Sequence, residues 1–449
     1  MSSAPAATSK HPLGLYVLFA SEMWERFSFY SVQAMLVLYV KDPKDGFGWD
    51  QERASGLYGW YVMSVYFSPL LGGLIADRFL GNRRSVILGG IFFVIGHALL
   101  GLSGLPFLYA GLSCLVVGNG FFKPNVSTMV GNLYSEGSKL KDAAYSLFYM
   151  GINIGALGAP IAMEFIRAEF GFHPAFATAA VGMALSVAIL FLFKSTYAHA
   201  DRMPGGAAAK QDQAQVALPI DAVPDLHRAA ALVVVFALGV AFWTLFWQNG
   251  NVLTIWADSY TDWGAIEKIV GQKVTGILSN AINPGFVVMF GPIVAALWQS
   301  RAQAGKDLST PAKMTLGMAC ATVGGAIMFL AAREIGHDVV IDTKAPVLVK
   351  ASPWWLVGSY ALVSLGEILL SAMGLSLVSQ VAPKRWRAML MGGWFVSISL
   401  GGFLSGKTGT YWNKVPHTQF FAGLSLGCLF ATVILFLSLR GLRKAMPGV

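Results

Sequence analysis

The chain contains 449 residues, of which 55% are hydrophobic and 12% are charged, and its formal net charge is +9. Soluble domains contain about 25% charged residues, and so few charges cannot cover a water-exposed surface. The composition therefore excludes a cytosolic enzyme, a disordered chain and an ordinary nucleic-acid-binding protein, and it indicates a polytopic membrane protein. In such a protein, excess Lys and Arg set the orientation of the chain and attract anionic lipid.

Twelve apolar runs are long enough for transmembrane helices, which need roughly 20 residues each. They cover residues 13–40, 54–76, 84–103, 106–133, 143–167, 174–194, 227–258, 275–299, 313–333, 353–380, 387–411 and 418–440. The stretch 195–226 between the sixth and seventh runs is a polar linker. We therefore predict an all-α major facilitator fold with six-helix bundles at 1–194 and 227–449. The long unbroken runs exclude a strand barrel. The linker 195–226 leaves no room for additional spanning helices between the two bundles.

The distribution of Lys and Arg indicates the orientation of these spans. If both termini are cytoplasmic, most of the basic residues fall on the cytoplasmic side, as the positive-inside rule requires. The first run carries acidic residues and continues too far for a cleaved signal, so we expect it to be a retained span. The cysteines Cys114, Cys320 and Cys428 lie in separate apolar runs without metal-ligand spacing, and we predict neither a disulfide nor a metal site.

Five ionisable residues lie at membrane depth in the predicted spans. An intramembrane charge costs at least about 2.5–3.5 kcal/mol on insertion scales, so such residues usually face a watery cavity and carry function. A structural ion pair that holds helices together is the alternative interpretation. The five residues are Glu22, Glu25, Arg26, Lys123 and Glu367.

Three of these charges and Tyr30 form one stripe of the first helix, because Glu22, Glu25, Arg26 and Tyr30 are spaced i, i+3, i+4 and i+8. Two carboxylates beside one guanidinium suit a proton carrier. The planar fork of the guanidinium also suits a carboxylate ligand. The stripe is therefore a candidate site both for proton coupling and for substrate binding.

The two remaining charges lie in repeat-equivalent spans, Lys123 in the fourth and Glu367 in the tenth. A cavity with one positive and one negative wall fits a zwitterion whose ends are separated. Arg26 and Lys123 would bind the carboxylate of such a ligand, and Glu367 its ammonium group. Without substrate, Lys123 and Glu367 could pair and close the two halves as an inter-lobe gate.

Neutral side chains extend the candidate substrate site. Asn153, Asn283 and Ser371 are polar residues within spans, where interhelical hydrogen bonding is the commoner role. Trp243 and Trp394 could form apolar walls, although aromatic residues at helical spacing are more often core or lipid-facing. The pattern Gly-x-x-x-x-Gly-Lys-Ser/Thr occurs once, as GGFLSGKT at residues 401–408, but it lies inside the apolar run 387–411 and not in a loop between a strand and a helix. A phosphate loop needs that loop context, so the sequence argues against direct coupling to ATP.

Several motifs resemble the proton-dependent oligopeptide transporters of the major facilitator superfamily. Residues 22–30 read EMWERFSFY and are similar to the family's ExxERFxYY signature. Residues 72–81, 121–127, 148–155 and 366–371 read GGLIADRFLG, FFKPNVS, FYMGINIG and GEILLS, and they resemble the loop after the second span and the fourth, fifth and tenth spans. The resemblance extends from about residue 13 to residue 440.

This resemblance implies import of di- and tripeptides by proton symport through alternating access. It assigns proton coupling to Glu22, Glu25 and Arg26, the peptide carboxylate to Lys123, and the peptide amine to Glu367. It also implies that six further residues line the pocket: Tyr30, Tyr66, Asn153, Trp243, Asn283 and Trp394.

The sequence departs from the family pattern at Phe29, Gln33, Trp247 and Ala372. Phe29 replaces the first tyrosine of the signature. Gln33 and Trp247 replace an Arg and a Glu that are thought to pair at the extracellular gate in many members. Because both charges are absent, neither is left buried without its partner.

The resemblance also implies a multi-pass protein of the bacterial inner membrane that works as a monomer, with no cofactor other than the coupling proton. Its partners would be peptides, protons and the lipid bilayer, with no nucleic acid. Alternative functions are proton-linked transport of nitrate, an amino acid or a drug, and passive conduction through a channel. A membrane enzyme is disfavoured, because the sequence contains no paired His/Asp metal ligands. Its Gly-x-Ser-x-Gly pattern, GLSLG at residues 423–427, lies inside the apolar run 418–440 and not at the strand-to-helix turn of a serine nucleophile.

Overall fold

The computed structural model describes residues 10–135, 138, 140–201, 219–340 and 349–447. Within these ranges the regular secondary structure is helical, apart from one isolated parallel bridge between Thr261 and Ala351. The helices are α1 (Leu13–Lys41), α2 (Gln51–Ile75), α3 (Asn82–Leu100), α4 (Leu105–Asn132), α5 (Leu140–Phe170), α6 (Phe172–Leu192), α7 (Lys194–Tyr197), α8 (Asp225–Phe246), α9 (Val252–Ser259), α10 (Gly264–Val270), α11 (Gly276–Ser279), α12 (Ile282–Gln303), α13 (Thr310–Glu334), α14 (Pro353–Val381), α15 (Arg387–Gly409) and α16 (His417–Ala445). Residues 202–218 of the predicted linker lie outside the described residues.

Twelve helices in the described ranges are at least 19 residues long, which agrees with the twelve predicted spans. Eleven of them are long and apolar enough to cross a membrane by length and composition. The remaining one is α1, whose 29 residues include Glu22, Glu25 and Arg26. These charges lower the mean hydropathy of α1, and they are the residues that the sequence singles out as functional.

The described contacts divide the chain into two compact units. Unit 1 comprises residues 1–31, 68–159 and 173–209, and unit 2 comprises residues 32–67, 160–172 and 210–449. Unit 2 therefore contains the end of α1, the beginning of α2 and the end of α5 together with the helices of the C-terminal half. The division at the linker into two six-helix bundles stays a prediction, because these units follow contacts and not chain order.

Close helix crossings in unit 1 occur at glycines. The Cβ of an alanine at Gly89 of α3 would lie 2.7 Å from the carbonyl oxygen of Gly118 in α4. A Cβ at Gly155 of α5 would collide with the backbone of α1 at Met23. Small residues allow helix backbones to approach closely in a membrane. The crossing at Gly155 fixes α1 beside α5 at the level of its charged stripe.

Two predicted spans of unit 2 are interrupted, which differs from the continuous runs expected at 227–258 and 275–299. The first has turns at 247–251 between α8 and α9, and the second at 280–281 between α11 and α12. The Thr254 hydroxyl donates to the carbonyl oxygen of Asn249 (2.6 Å), and the Asn280 amide donates to that of Gly276 (3.4 Å). Polar side chains of this kind compete with the helical backbone pattern, which accounts for the interruptions.

Candidate functional site

The charged side chains of unit 1 form one buried cluster. Arg26 donates from Nε to Glu25 Oε2 (2.5 Å) and from Nη2 to Glu25 Oε1 (2.6 Å). Its Nε also lies 3.5 Å from Glu22 Oε1, and this oxygen accepts a hydrogen bond from Lys123 Nζ at 2.5 Å. Nη2 reaches Asn119 Oδ1 at 3.4 Å. Two cations and two carboxylates therefore balance each other inside the unit.

Helical spacing accounts for this arrangement. Glu22 and Arg26 are one turn apart on α1, and Asn119 and Lys123 are one turn apart on α4, so each pair presents both members to the other helix. Glu22 and Glu25 are fully buried and Arg26 is 4% exposed, whereas the Lys123 side chain is 28% exposed. Lys123 is thus the member of the cluster with the most open surface.

One carboxylate oxygen of the cluster accepts no hydrogen bond from the described residues. Within the described part of the chain, Glu22 Oε2 is buried and has no hydrogen-bond partner, while both oxygens of Glu25 are bound by Arg26. A buried acceptor without a donor is costly. Glu22 is therefore the carboxylate of the cluster that has an acceptor position left for a further donor.

Two other predicted residues of unit 1 lie on α1 and on α5. The Tyr30 ring packs edge-to-face on Phe29 with centroids 5.2 Å apart, and the Arg26 guanidinium carbon lies 4.9 Å from the centre of the Phe29 ring. Phe29 therefore contacts the cluster as an aromatic surface in place of a tyrosine hydroxyl. The Asn153 amide donates to the Tyr149 carbonyl oxygen in the preceding turn of α5 (2.8 Å).

The predicted acidic residue of unit 2 is held by an amide. Asn283 Nδ2 donates to Glu367 Oε2 and to Ser364 Oγ, at 2.9 Å each. Glu367 lies on α14 directly after Gly366, where a Cβ at Gly317 of α13 would be 2.8 Å from the Gly366 carbonyl oxygen. This close crossing of α13 and α14 fixes the position of Glu367. Ser371 lies one turn further along α14.

The predicted aromatic residues of unit 2 pack against one another. The ring centroids of Trp243 and Trp394 are 6.2 Å apart, and those of Tyr66 and Trp247 are 5.0 Å apart. Trp243, Trp247 and Trp394 are at most 4% exposed. Trp247 is therefore a buried aromatic side chain that packs against Tyr66.

The predicted gate pair has one residue in each unit, with Lys123 in unit 1 and Glu367 in unit 2. The described ion pair of Lys123 is with Glu22, and the described hydrogen bond of Glu367 is with Asn283. Each residue therefore has a partner within its own unit. The gating role stays a prediction.

Comparison with known proteins decides the family. The profile of the POT family matches residues 83–218 and 206–427. A Bacillus subtilis protein named uncharacterized transporter YclF is 31% identical over 98% of this chain and 96% of its own. The chain belongs to the POT family.

Two further comparisons are with proteins whose names state a substrate or a ligand. The peptide transporter YePEPT of Yersinia enterocolitica is 30% identical over 97% of this chain and 95% of its own. A crystal structure of a POT family transporter in complex with a thioalcohol-conjugated peptide has a TM-score of 0.85 at 27% identity and covers 98% of this chain and 98% of that one. The fold of this chain is therefore the major facilitator fold of POT transporters.

One buried charge of this POT family member is missing from the five that the sequence analysis selected. Glu164 of α5 is 1% exposed and belongs to unit 2. It accepts hydrogen bonds from the backbone N–H groups of Thr275 (2.7 Å) and Leu278 (3.1 Å) and from the Thr275 hydroxyl (2.8 Å). The signal was present, because Glu164 falls within the apolar run 143–167.

We expect Gly374→Ala to destabilise this POT family protein and to reduce transport. A Cβ at Gly374 of α14 would collide with the indole ring of Trp394, which is buried and cannot yield without moving α15. Overpacking of this kind costs about 1–3 kcal/mol. The measurement is the Tm of the purified protein, together with solute uptake by reconstituted vesicles.

The matched control for Gly374→Ala is Gly427→Ala on α16, where an added Cβ meets nothing within 4 Å. Alanine is favoured over glycine inside a helix by roughly 0.5–1 kcal/mol, so the control should keep or raise the Tm. Equal Tm values for Gly374→Ala and the unmodified protein would contradict the packing of Trp394 described above.

Proposed function

We propose that this POT family protein imports di- and tripeptides together with protons by alternating access. Relatives named peptide transporter YePEPT and di-/tripeptide transporter, the latter from Lactococcus lactis at 27% identity, support this substrate class. The observation that carries the proton part is the four-charge cluster of unit 1 with its open Glu22 oxygen. A cluster balanced in this way changes its net charge by one unit when a single proton binds.

The role of each charge follows from its surroundings. Arg26 is fully engaged by Glu25, whereas Lys123 has the exposed surface that a carboxylate can reach first. We propose that the peptide carboxylate binds Lys123 and then Arg26, and that the peptide ammonium group binds Glu367. Protonation of Glu22 releases Lys123 from its ion pair and makes it available to the peptide.

The neutral residues would complete peptide recognition. We propose that Tyr30, Tyr66, Asn153 and Asn283 hydrogen-bond the peptide or its charged partners. Ser371, Trp243 and Trp394 would line the space for side chains, and aromatic walls of this kind tolerate many apolar side chains. Exchange of the Lys123 pairing between Glu22, the peptide and Glu367 would open and close the inter-lobe gate.

The relatives and the long apolar helices also bear on where the transporter is located. The relatives are bacterial, and eleven helices of the described chain meet the length and composition needed to cross a membrane. We propose the inner membrane as the location, with both termini in the cytoplasm, and a monomer as the working unit. The proton serves as the coupling ion, and the proposal requires no bound cofactor.

Uptake of labelled dialanine by reconstituted liposomes tests this function. An inward proton gradient should drive accumulation, and an uncoupler should abolish it. A channel would equilibrate dialanine without accumulation, and a carrier for nitrate, an amino acid or a drug would not take up dialanine at all. Either result would overturn the proposal.

We expect Glu22→Gln to abolish proton-driven accumulation while leaving dialanine exchange across the membrane. The amide resembles a carboxylic acid that is always protonated, so the site can bind peptide but cannot release a proton. Glu169→Gln is the control, because Glu169 is exposed near the end of α5. If Glu22→Gln accumulates dialanine like the control, Glu22 is not the proton carrier.

A further inference from the structure

The break between α8 and α9 places a buried amide where three helices of unit 2 meet. Asn251 ends the break with φ −119° and ψ −105°, and its side chain is fully buried. The helices on either side of it are α2 and α15. Asn251 lies inside the apolar run 227–258 and is not among the residues that the sequence analysis selected.

A chain of hydrogen bonds runs through this amide in one direction. Lys41 Nζ donates to Gln51 Oε1 (2.6 Å), and Gln51 Nε2 donates to Ser55 Oγ (2.8 Å). The Ser55 hydroxyl donates to Asn251 Oδ1 (2.8 Å), and Asn251 Nδ2 donates to the Ser405 carbonyl oxygen (3.1 Å). Each side chain between the two ends therefore both accepts and donates, and Lys41 is the charged member of the chain.

A second amide of the break binds α15 in the same place. Gln248 Nε2 donates to Thr408 Oγ1 at 2.9 Å and to the Ser405 carbonyl oxygen at 3.4 Å. Ser405 therefore receives two amide donors from the break. Both contacts hold the break against α15, at the end of unit 2 where α1 ends and α2 begins.

The backbones of α2 and α15 are close enough for these short side chains to reach. A Cβ at Gly59 would lie 2.8 Å from the Cα atom of Gly406. A Cβ at Gly409 would lie 2.7 Å from Ser55 Oγ and 2.5 Å from Asn251 Nδ2. The contact between α2 and α15 thus has no room for larger residues at these glycines, and Ser55 and Asn251 bind each other directly.

We propose that Asn251 is a positioning residue that holds α2 against α15 as a neutral latch, so that this end of the transporter stays shut until the Ser55–Asn251–Ser405 hydrogen bonds are exchanged for water. This inference rests on the proposed function, because a latch has a purpose only in a protein that opens and closes. The bonds are between uncharged groups, so their rupture strands no buried charge. A neutral latch can therefore open more readily than an ion pair of the same burial.

Cysteine labelling measures the latch without any substrate. Val62 of α2 is 1% exposed and faces α15, since a Cβ at Gly402 would collide with it. We would introduce Val62→Cys into a protein in which Cys114, Cys320 and Cys428 are replaced by alanine. A charged, membrane-impermeant methanethiosulfonate reagent is then applied to each face of oriented vesicles. The labelling rate reports how often α2 and α15 separate.

The expected result is faster labelling in latch variants. Ser55→Ala removes the hydroxyl that donates to Asn251 and accepts from Gln51. We expect the rate to rise at least about tenfold, and a tenfold change corresponds to about 1.4 kcal/mol. Asn251→Ala removes both the acceptor of the Ser55 hydroxyl and a donor to Ser405, and it should raise the rate further. The two effects should be less than additive in the combined variant, because the two residues share the hydrogen bond from the Ser55 hydroxyl to Asn251.

Ser425→Ala is the matched control, because Ser425 Oγ donates to the Thr322 carbonyl oxygen of another helix at the same 2.8 Å. It removes an equivalent buried bond away from the latch and should leave the labelling rate unchanged. Equal acceleration by Ser425→Ala would show general loosening and overturn the proposal, as would an unchanged rate in both latch variants. If the parent protein fails to take up dialanine but the latch variants label faster, the latch stands and the proposed substrate falls.

Discussion

Replacement of Arg26 by alanine should lower dialanine uptake at least about 100-fold, whether or not a proton gradient is applied. Arg26 forms both short contacts to Glu25 and lies 3.5 Å from Glu22. Removal of one partner of a buried ion pair costs about 3–5 kcal/mol, because the remaining charge stays buried without compensation. In the variant, both carboxylates would compete for Lys123, which would then be unable to bind a peptide.

Arg26→Lys separates charge from geometry. Lysine keeps the positive charge but cannot form the two parallel hydrogen bonds of a guanidinium, so uptake should fall between the alanine variant and the unmodified protein. Arg443→Ala is the control, because Arg443 is exposed near the end of α16. Uptake by Arg26→Ala above a tenth of the control value would refute the assignment of Arg26 to the site.

Much of the fold follows from elementary properties of the sequence. Length, hydropathy and the scarcity of charge predict the number of long helices, since every membrane-embedded backbone group must be hydrogen-bonded within its own segment. Helical spacing likewise predicts that Glu22, Glu25 and Arg26 share a face, and the structure places them in contact. These inferences succeed because they depend on composition and helical periodicity, and not on how the helices pack against one another.

The partners of the charges are less accessible to sequence reasoning. Repeat logic pairs Lys123 with Glu367, whereas the described ion pair of Lys123 is with Glu22. Which carboxylate a lysine meets depends on how two helices cross, and close crossings in this unit occur at glycines, as at Gly155 of α5 against α1. The equivalence of two spans in the two halves predicts the depth of a residue in the membrane, but it does not predict which side chain the residue contacts.

The helix breaks are a second feature that the hydropathy of the chain conceals. Trp247, Leu253 and the residues around them are apolar enough to continue a span, yet the backbone turns at 247–251. The decisive contacts are those of Asn249, Asn251 and Thr254, which are polar groups in an apolar context. Their density in one short segment is the signal that could have located the break.

Glu164→Ala should destabilise the protein by about 2–4 kcal/mol, because three donors lose a charged acceptor in a buried place. Two of these donors are backbone N–H groups at the start of α11, where a helix has unsatisfied donors and a carboxylate is favoured. The side chain of α5 thus caps a helix that lies more than 100 residues later in the chain. A lowered Tm of the purified protein is the measurement.

Glu164→Gln resolves whether the charge or the acceptor geometry matters. The amide keeps one oxygen but turns an NH₂ group toward Thr275 or Leu278, so its Tm should lie between those of Glu164→Ala and the unmodified protein. Glu169→Gln, five residues further along α5 and exposed, should leave the Tm unchanged. If Glu164→Gln also keeps the full Tm, the carboxylate is not required as a cap, and its burial in an apolar span would need a role in transport instead. Uptake of dialanine by the same variants distinguishes these two roles, because a cap acts through stability and a transport residue acts through rate.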